Sequence, residues 1–363
     1  MIDLSPLNDV NRLLFDVPLK PIQTDRFQPT GFPNLGAATY QTKEGTKLLV
    51  ESAQSMANRL EAVCWDFVKN KPIAALDGIS HVTVQRTIGN KEEFLTDTML
   101  EAHRLNSPYV LSSTNTDFTQ KLLKDLSENL GREVIEENQG SVVRSKLAQV
   151  LLKYDIGSLI HGVFFANNQV PLSNDGKKKG SIAGGRLRIP RSLSCFIEAS
   201  DIKVAASGGV KNDHVHPQKI SGNLSELVGN VPFARDEYTA ESIVCHINLD
   251  LAQIRGYGLG RNVEDMLILL SLYRIRALLD GDLRLRTACD LEPANGTNIT
   301  AVKPGGFDLP SLKDLEQPLS DAIKKCKDKM TQETVSFNDE LKKARESKKE
   351  TEDNGDADET TEE

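Results

Sequence analysis

The apolar positions change period several times along the chain, and each change marks an element. Residues 10–22 (VNRLLFDVPLKPI) hold a short apolar run bounded by proline, which reads as an opening strand. The Pro-, Gly- and Thr-rich stretch 23–45 reads as loop. From Glu51 or Ser52 to Lys69, the residues Met56, Leu60, Val63, Cys64 and Phe67 recur at helical spacing, and Pro72 stops the pattern. HVTVQRTI (81–88) alternates as a strand does. Residues 94–106, 117–130 and 141–153 read as helices, the second closing at Gly131. SLIHGVFFA (158–166) reads as a buried strand, and LSCFIEASDIKVAA (193–206) as one or two strands.

Residues 207–238 then break the regularity, being dense in Gly, Asn, Pro and charge. So long an irregular stretch in a compact domain is a functional loop or a protruding arm. SIVCHINLDLAQI (242–254) returns to strand. Residues 262–281 predict a helix, with Asn262 as N-cap, Glu264 and Asp265 in the first turn and Gly281 at the end. Its apolar residues surround most of its circumference, so it is expected to be buried. LRLRTACDLEP (283–293) predicts a last strand, and residues 310–346 a further helix or two. The strongest elements run strand, helix, strand, strand, helix, strand. That predicts an α+β fold built on a ferredoxin-like β-α-β-β-α-β unit, elaborated into one domain over 1–346. A helical insertion is expected at about 94–153, with the arm at about 207–238.

Composition changes this picture in two ways. Apolar residues make up 39% of the 363 but aromatics only 5%, so the core must rest on Leu, Ile, Val and Ala. The formal charge of −8 argues against a nucleic-acid binder until it is located: residues 347–363 hold eight acids against two lysines. The remainder is nearly neutral and free to carry a basic stripe, and the acidic tail is expected to be disordered. Five widely spaced cysteines without a CxxC pair read as reduced, packed thiols of a cytoplasmic protein. Neither a leader nor a run of about 18 apolar residues is visible, so no membrane association is expected.

The strongest basic signal is KKKGSIAGGRLRIPR (177–191), where Arg186, Arg188 and Arg191 follow a glycine pair with no acid among them. Arginines at i and i+2 of a strand share a face, which suits successive phosphates of a polyanion; a charged, solvated edge strand would look the same. RGYGLGR (255–261) sets Arg255, Tyr257 and Arg261 among glycines ahead of a helix, and LRLR adds Arg284 and Arg286. Such a turn can cradle a phosphate, but its spacing is neither that of a dinucleotide fingerprint nor of a P-loop. On the helix from residue 51, Gln54, Ser55, Asn58 and Arg59 gather opposite Met56, Leu60 and Val63. They are either a solvated face or a polar track for a nucleic-acid backbone. His214 and His216 form an HxH within the arm beside Asp213, too few ligands for a metal site, and no hydrolase or kinase signature is present. No cofactor is expected.

Taken together, PTGFPNLGAATY (29–40), LLVESAQSMANRLEAVCWD (48–66), SLIHGVFF (158–165), RLRIPRSLSCFIEASDI (186–202), SGGVKNDHV (207–215), GNVPFARDEYTA (229–240), INLDLAQIRGYGLG (247–260) and LRLRTACDLE (283–292) resemble the Csb family. These are RAMP-superfamily backbone subunits of type I-G (formerly I-U) CRISPR complexes. The resemblance implies a modified RNA-recognition-motif palm with a protruding thumb hairpin at the arm. It implies copies that polymerise along a guide crRNA, hold it for pairing with target DNA, and work beside other effector subunits and a recruited helicase-nuclease in antiviral defence. It implies no catalysis by this subunit. The expected guide contacts are Gln54, Ser55, Asn58, Arg59, Arg186, Arg188, Arg191, Lys211, His214, Arg255, Tyr257, Arg284 and Arg286. The strands offer few exposed aromatics, so backbone contact rather than base stacking is expected. The competing reading is a RAMP-type metal-dependent ribonuclease using Asp213 and His214.

Overall fold

A computed structural model describes residues 2–337 except positions 33, 89–90, 112–115, 131–141, 166–168, 172–178, 182–186, 213–229 and 282. Asp213, His214, Arg186, the tip of the arm and the acidic tail therefore lie outside the described residues.

The centre is an antiparallel sheet. Its strands are β1 (Arg12–Pro21), β2 (Thr39–Thr42), β3 (Gly45–Glu51), β8 (Leu193–Ser200), β11 (Ser242–Asp250), β12 (Leu283–Arg286) and β13 (Cys289–Pro293). They lie in the order β12-β13-β1-β11-β8-β3-β2. The register pairs Phe15 with Ile247 and Cys195 with Ile247, so β11 is gripped on both edges. Alternation decides which face is dry: Leu193, Cys195, Ile197 and Ala199 are buried while their neighbours are partly exposed.

Two helices close the dry face. Helix α1 (Ala53–Ala62) starts at Ser52, whose hydroxyl accepts the Ser55 N–H at 3.3 Å, as an N-cap should. It packs on β8 through its buried face, with Met56 and Leu60 fully buried. The periodicity predicts a helix to residue 69, but α1 ends seven residues earlier. A two-residue hairpin follows, with Trp65 buried and Phe67 65% exposed, so Phe67 does not hold the helix to the sheet. Helix α6 (Arg261–Asp280) lies against α1 and α7 (Leu312–Cys326) and is buried along almost its whole length, as its apolar circumference requires. Its cap is Gly260 rather than Asn262.

A second, three-stranded sheet joins β4 (His81–Ile88) to β5 (Lys91–Asp97) and, in parallel, to β14 (Gln332–Phe337). Here several expectations give way. Residues 94–106 are not a helix: the chain stays in strand β5 to Asp97, whose carboxylate then takes the Met99 N–H and starts a turn. In the described part of 310–346 the expected helix is present as Leu312–Cys326, followed by a 3-10 turn at Lys327–Lys329 and then by strand β14. Helices α2 (Thr116–Leu130) and α3 (Arg144–Tyr154) fall where the pattern puts them.

SLIHGVFFA also folds otherwise than as a strand. Residues 156–161 form helix α4 (Ile156–His161), capped by Asp155, whose carboxylate accepts the Gly157 N–H at 3.0 Å and the Ser158 hydroxyl at 2.6 Å. Only β6 (Val163–Phe164) is extended, and it pairs with β7 (Arg188–Ile189). Short apolar runs carry too little periodicity to separate strand from buried helix, and the cap decides. The arm rises from a regular hairpin, β9 (Lys203–Asn212) with β10 (Asn230–Thr239). Beyond β11, residues 251–256 turn into helix α5 (Leu251–Gly256), and LRLRTACDLEP is two strands, β12 and β13. All five cysteines are free and buried. Among the described residues no helix is long and apolar enough to cross a membrane.

Candidate functional site

A cleft of about 760 Å³ opens on the described surface. Its walls are the β6–β7 pair and the turn Arg104–Asn106; Arg144, at the start of α3, stands on its rim. Three exposed arginines border it: Arg144, Arg188 and Arg191. None has an acidic partner in hydrogen-bond contact among the described residues. Desolvation, and after it the charge of Arg104, lowers the Arg191 pKa, but a guanidinium stays charged at neutral pH.

The floor explains why the cleft keeps its shape. Gly162 follows α4 at φ +81°, and a Cβ there would lie 2.8 Å from the Ile189 carbonyl, so only glycine lets β6 meet β7 this closely. Arg104 is buried beneath, and its Nε and Nη2 donate to the two carboxylate oxygens of Glu61 at 2.9 and 2.6 Å. Its remaining guanidinium nitrogen reaches the Ala102 and Gly162 carbonyls at 3.3 and 3.4 Å. Arg104 therefore props the cleft and is spent. His161 is different. It lines the cleft, is 1% exposed, and neither ring nitrogen has a hydrogen-bond partner among the described residues. Burial, then the charges of Arg274, Arg104 and Arg191, push its pKa well below the usual imidazole value, so it is neutral near pH 7. A neutral imidazole offers one donor and one acceptor.

The residues expected to contact a guide divide into three groups. Arg188 and Arg191 meet at the cleft. Gln54 and Asn58 are exposed on α1, Ser55 is half-buried, and Arg284 is exposed on β12 near an Asp290 carboxylate at 4.0 Å. These stay available to a ligand, on a separate face built where α1 meets β12. Arg59, Arg255, Tyr257 and Arg286 are engaged within the fold, while Arg186 and His214 lie outside the described residues. Arg59 donates to the Arg284 and Leu285 carbonyls, and Arg286 to the Gln28 and Val50 carbonyls and to the buried Glu51 carboxylate. Arg255 ties the Leu7 and Val10 carbonyls to α5. Tyr257 is fully buried; its hydroxyl donates to the Leu159 carbonyl at 2.8 Å, and burial pushes its pKa up to about 12. Each was readable as a ligand group because a sequence shows charge and not the carbonyls that use it. Lys211 takes its place in β9 opposite Val231.

Sequence reasoning passed over Arg144 and Phe164, and it reads His161 as a satisfied core or surface histidine. Only Phe164 left a signal: in Phe164-Phe165 on a strand, one ring must point away from the core. Phe165 is fully buried, and Phe164 is 50% exposed into the cleft.

An α+β protein with an arginine-bordered cleft that has no acid among its described lining residues is equipped to hold an anionic ligand. The chain belongs to the family described as CRISPR-associated protein GSU0053, whose model matches residues 13–204. No curated protein matches it in sequence. Among solved structures it is similar to a chain of a "CRISPR RNA-guided surveillance complex, pre-nicking", at 12% identity and a TM-score of 0.36, over 77% of this chain and 73% of that one. It is also similar to Csc2 of Thermofilum pendens, at 9% identity and a TM-score of 0.28, over 89% and 79%. At these scores the likeness is loose and fixes no residue correspondence.

Proposed function

We propose that this chain is a non-catalytic, crRNA-binding backbone subunit of a CRISPR surveillance complex, of the Csb type found in type I-G systems. The observation that carries the reading is the cleft: in a CRISPR-associated chain, Arg144, Arg188 and Arg191 stand together, and among the described residues no carboxylate is in hydrogen-bond contact with any of them. Guanidinium groups in that state suit phosphodiesters. The fold supports a palm of the RNA-recognition-motif kind. Strands β13, β1, β11 and β8 are neighbours, with α1 between the first and second in sequence and α6 between the third and fourth. The β9–β10 hairpin is the base of the thumb.

In this reading, copies associate head to tail along the guide, because a heterologous contact repeats without closing and the RNA limits its length. The assembled subunits hold the guide for pairing with target DNA, beside other effector subunits, and a separate helicase-nuclease acts on that DNA. Expression of the full chain with a CRISPR array and its partner subunits tests this. Large particles carrying RNA of uniform length are expected. A monomer that binds no RNA in the presence of guide defeats the proposal.

A further inference from the structure

The cleft has a feature that phosphate binding leaves unused. Phe164 exposes half its surface inside it, although Phe165 beside it is fully buried. Phe164 sits directly opposite Arg188 in the antiparallel β6–β7 pair. Residues so paired project from the same face with Cβ atoms roughly 5 Å apart, so the ring and the guanidinium are neighbours. Across the cleft floor lies His161, buried, neutral and unpartnered among the described residues. An exposed ring, a cation on the residue paired with it and an unpartnered imidazole, all lining one opening of about 760 Å³, are three different kinds of contact. An inorganic anion uses one of them. A nucleotide of single-stranded RNA uses all three, through its base, its phosphate and its base edge or 2′-hydroxyl.

We propose that the cleft seats one unstacked base of a single-stranded RNA on the Phe164 ring, with the adjoining phosphate on Arg188 and a polar edge of the nucleotide toward His161. This rests on the RNA-binding function above and assigns one nucleotide of the bound strand to this cleft. Every base has a π-face, so the seat is tolerant of sequence, as a subunit serving many guides requires. It also revises the expectation that binding proceeds by backbone contact alone.

The test uses the full chain as wild type, Phe164→Ala and Phe164→Trp, with two probes of equal length. One is a uridine-rich single-stranded RNA carrying a fluorescent purine analogue, and the other is its abasic counterpart. Phe164 is half-exposed, so all three proteins are expected to share one denaturation midpoint. Phe164→Ala is expected to bind the base-bearing RNA about 5- to 150-fold more weakly, the range for one lost base–aromatic stack, and to lose quenching of the analogue. Phe164→Trp is expected to retain both. The abasic RNA should not distinguish the three. If wild type binds both RNAs and Phe164→Ala binds the base-bearing one equally well, the base seat is wrong and the RNA reading stands. If wild type binds neither RNA, both fall together.

Discussion

Arg104 and Glu61 face each other in a two-pronged ion pair, buried to 4% and 1% exposure, under the floor of the arginine cleft. The pair joins the end of α1 to the turn that forms one cleft wall, and Arg104 adopts φ +50° to reach it. Desolvation pushes the Glu61 carboxyl upward, and the arginine opposes that shift by favouring the charged form. Removing one partner strands the other. Glu61→Ala is therefore expected to cost about 3–5 kcal/mol, measured by chemical denaturation, because it leaves Arg104 buried without its counter-ion.

His161 predicts a pH dependence. Its folded pKa lies below the unfolded imidazole value of 6.5, so the unfolded chain takes up the proton first. The stability it permits is intact above pH 6.5 and is lost as the pH falls through that value toward the folded one. The slope approaches about 1.4 kcal/mol per pH unit. Between neutral and mildly acidic pH, wild type should lose stability relative to His161→Leu, measured from denaturation midpoints. Parallel curves would show that burial leaves the His161 pKa at its unfolded value.

The cleft arginines should govern RNA affinity without regard to sequence. Each phosphate contact contributes about 0.7 to the slope of log affinity against log salt for single strands. Arg188→Glu with Arg191→Glu is expected to weaken binding to all sequences alike and to flatten that slope by about 1.4. Filter binding across a salt series measures it.

Arg286 is expected to behave in the opposite way. Its guanidinium serves the buried Glu51 and two carbonyls, so Arg286→Ala should lower stability by about 2 kcal/mol and leave the salt slope of RNA binding unchanged. A flattened slope with full stability would return Arg286 to the RNA surface.

On α1 and its flank, Leu60→Ala is expected to cost about 2–5 kcal/mol and Phe67→Ser under about 0.5 kcal/mol, read from denaturation midpoints. Leu60 is fully buried and Phe67 lies 65% exposed, although both fit one helical period.

That contrast marks where the sequence stops being informative. Alternation in β1, β8 and β11 and the apolar circumference of α6 were legible because each is a local pattern that burial enforces over many residues. Helix α4 was not, since its six residues carry less than two full turns and its decisive signal is one side chain, Asp155. The site was legible only in Arg188 and Arg191, where basic residues cluster in sequence. Arg144 comes from one segment, His161 and Phe164 from another, and Arg188 and Arg191 from a third, and nothing local marks their meeting. Arg59, Arg255 and Arg286 misled for the converse reason: their acceptors are main-chain carbonyls, some more than 200 residues away.

The parallel pairing of Gln332–Phe337 with His81–Arg86 has a consequence for synthesis of the chain. Strand β4 can close one edge at once with β5, its hairpin neighbour, but its other edge waits for residues translated some 250 positions later. At roughly 5–20 residues per second that is an interval of about 12–50 s with bare N–H and C=O groups. A nascent chain therefore passes most of its time on the ribosome with an open template for wrong partners. Protection of that edge, by a chaperone for example, would matter most during that interval.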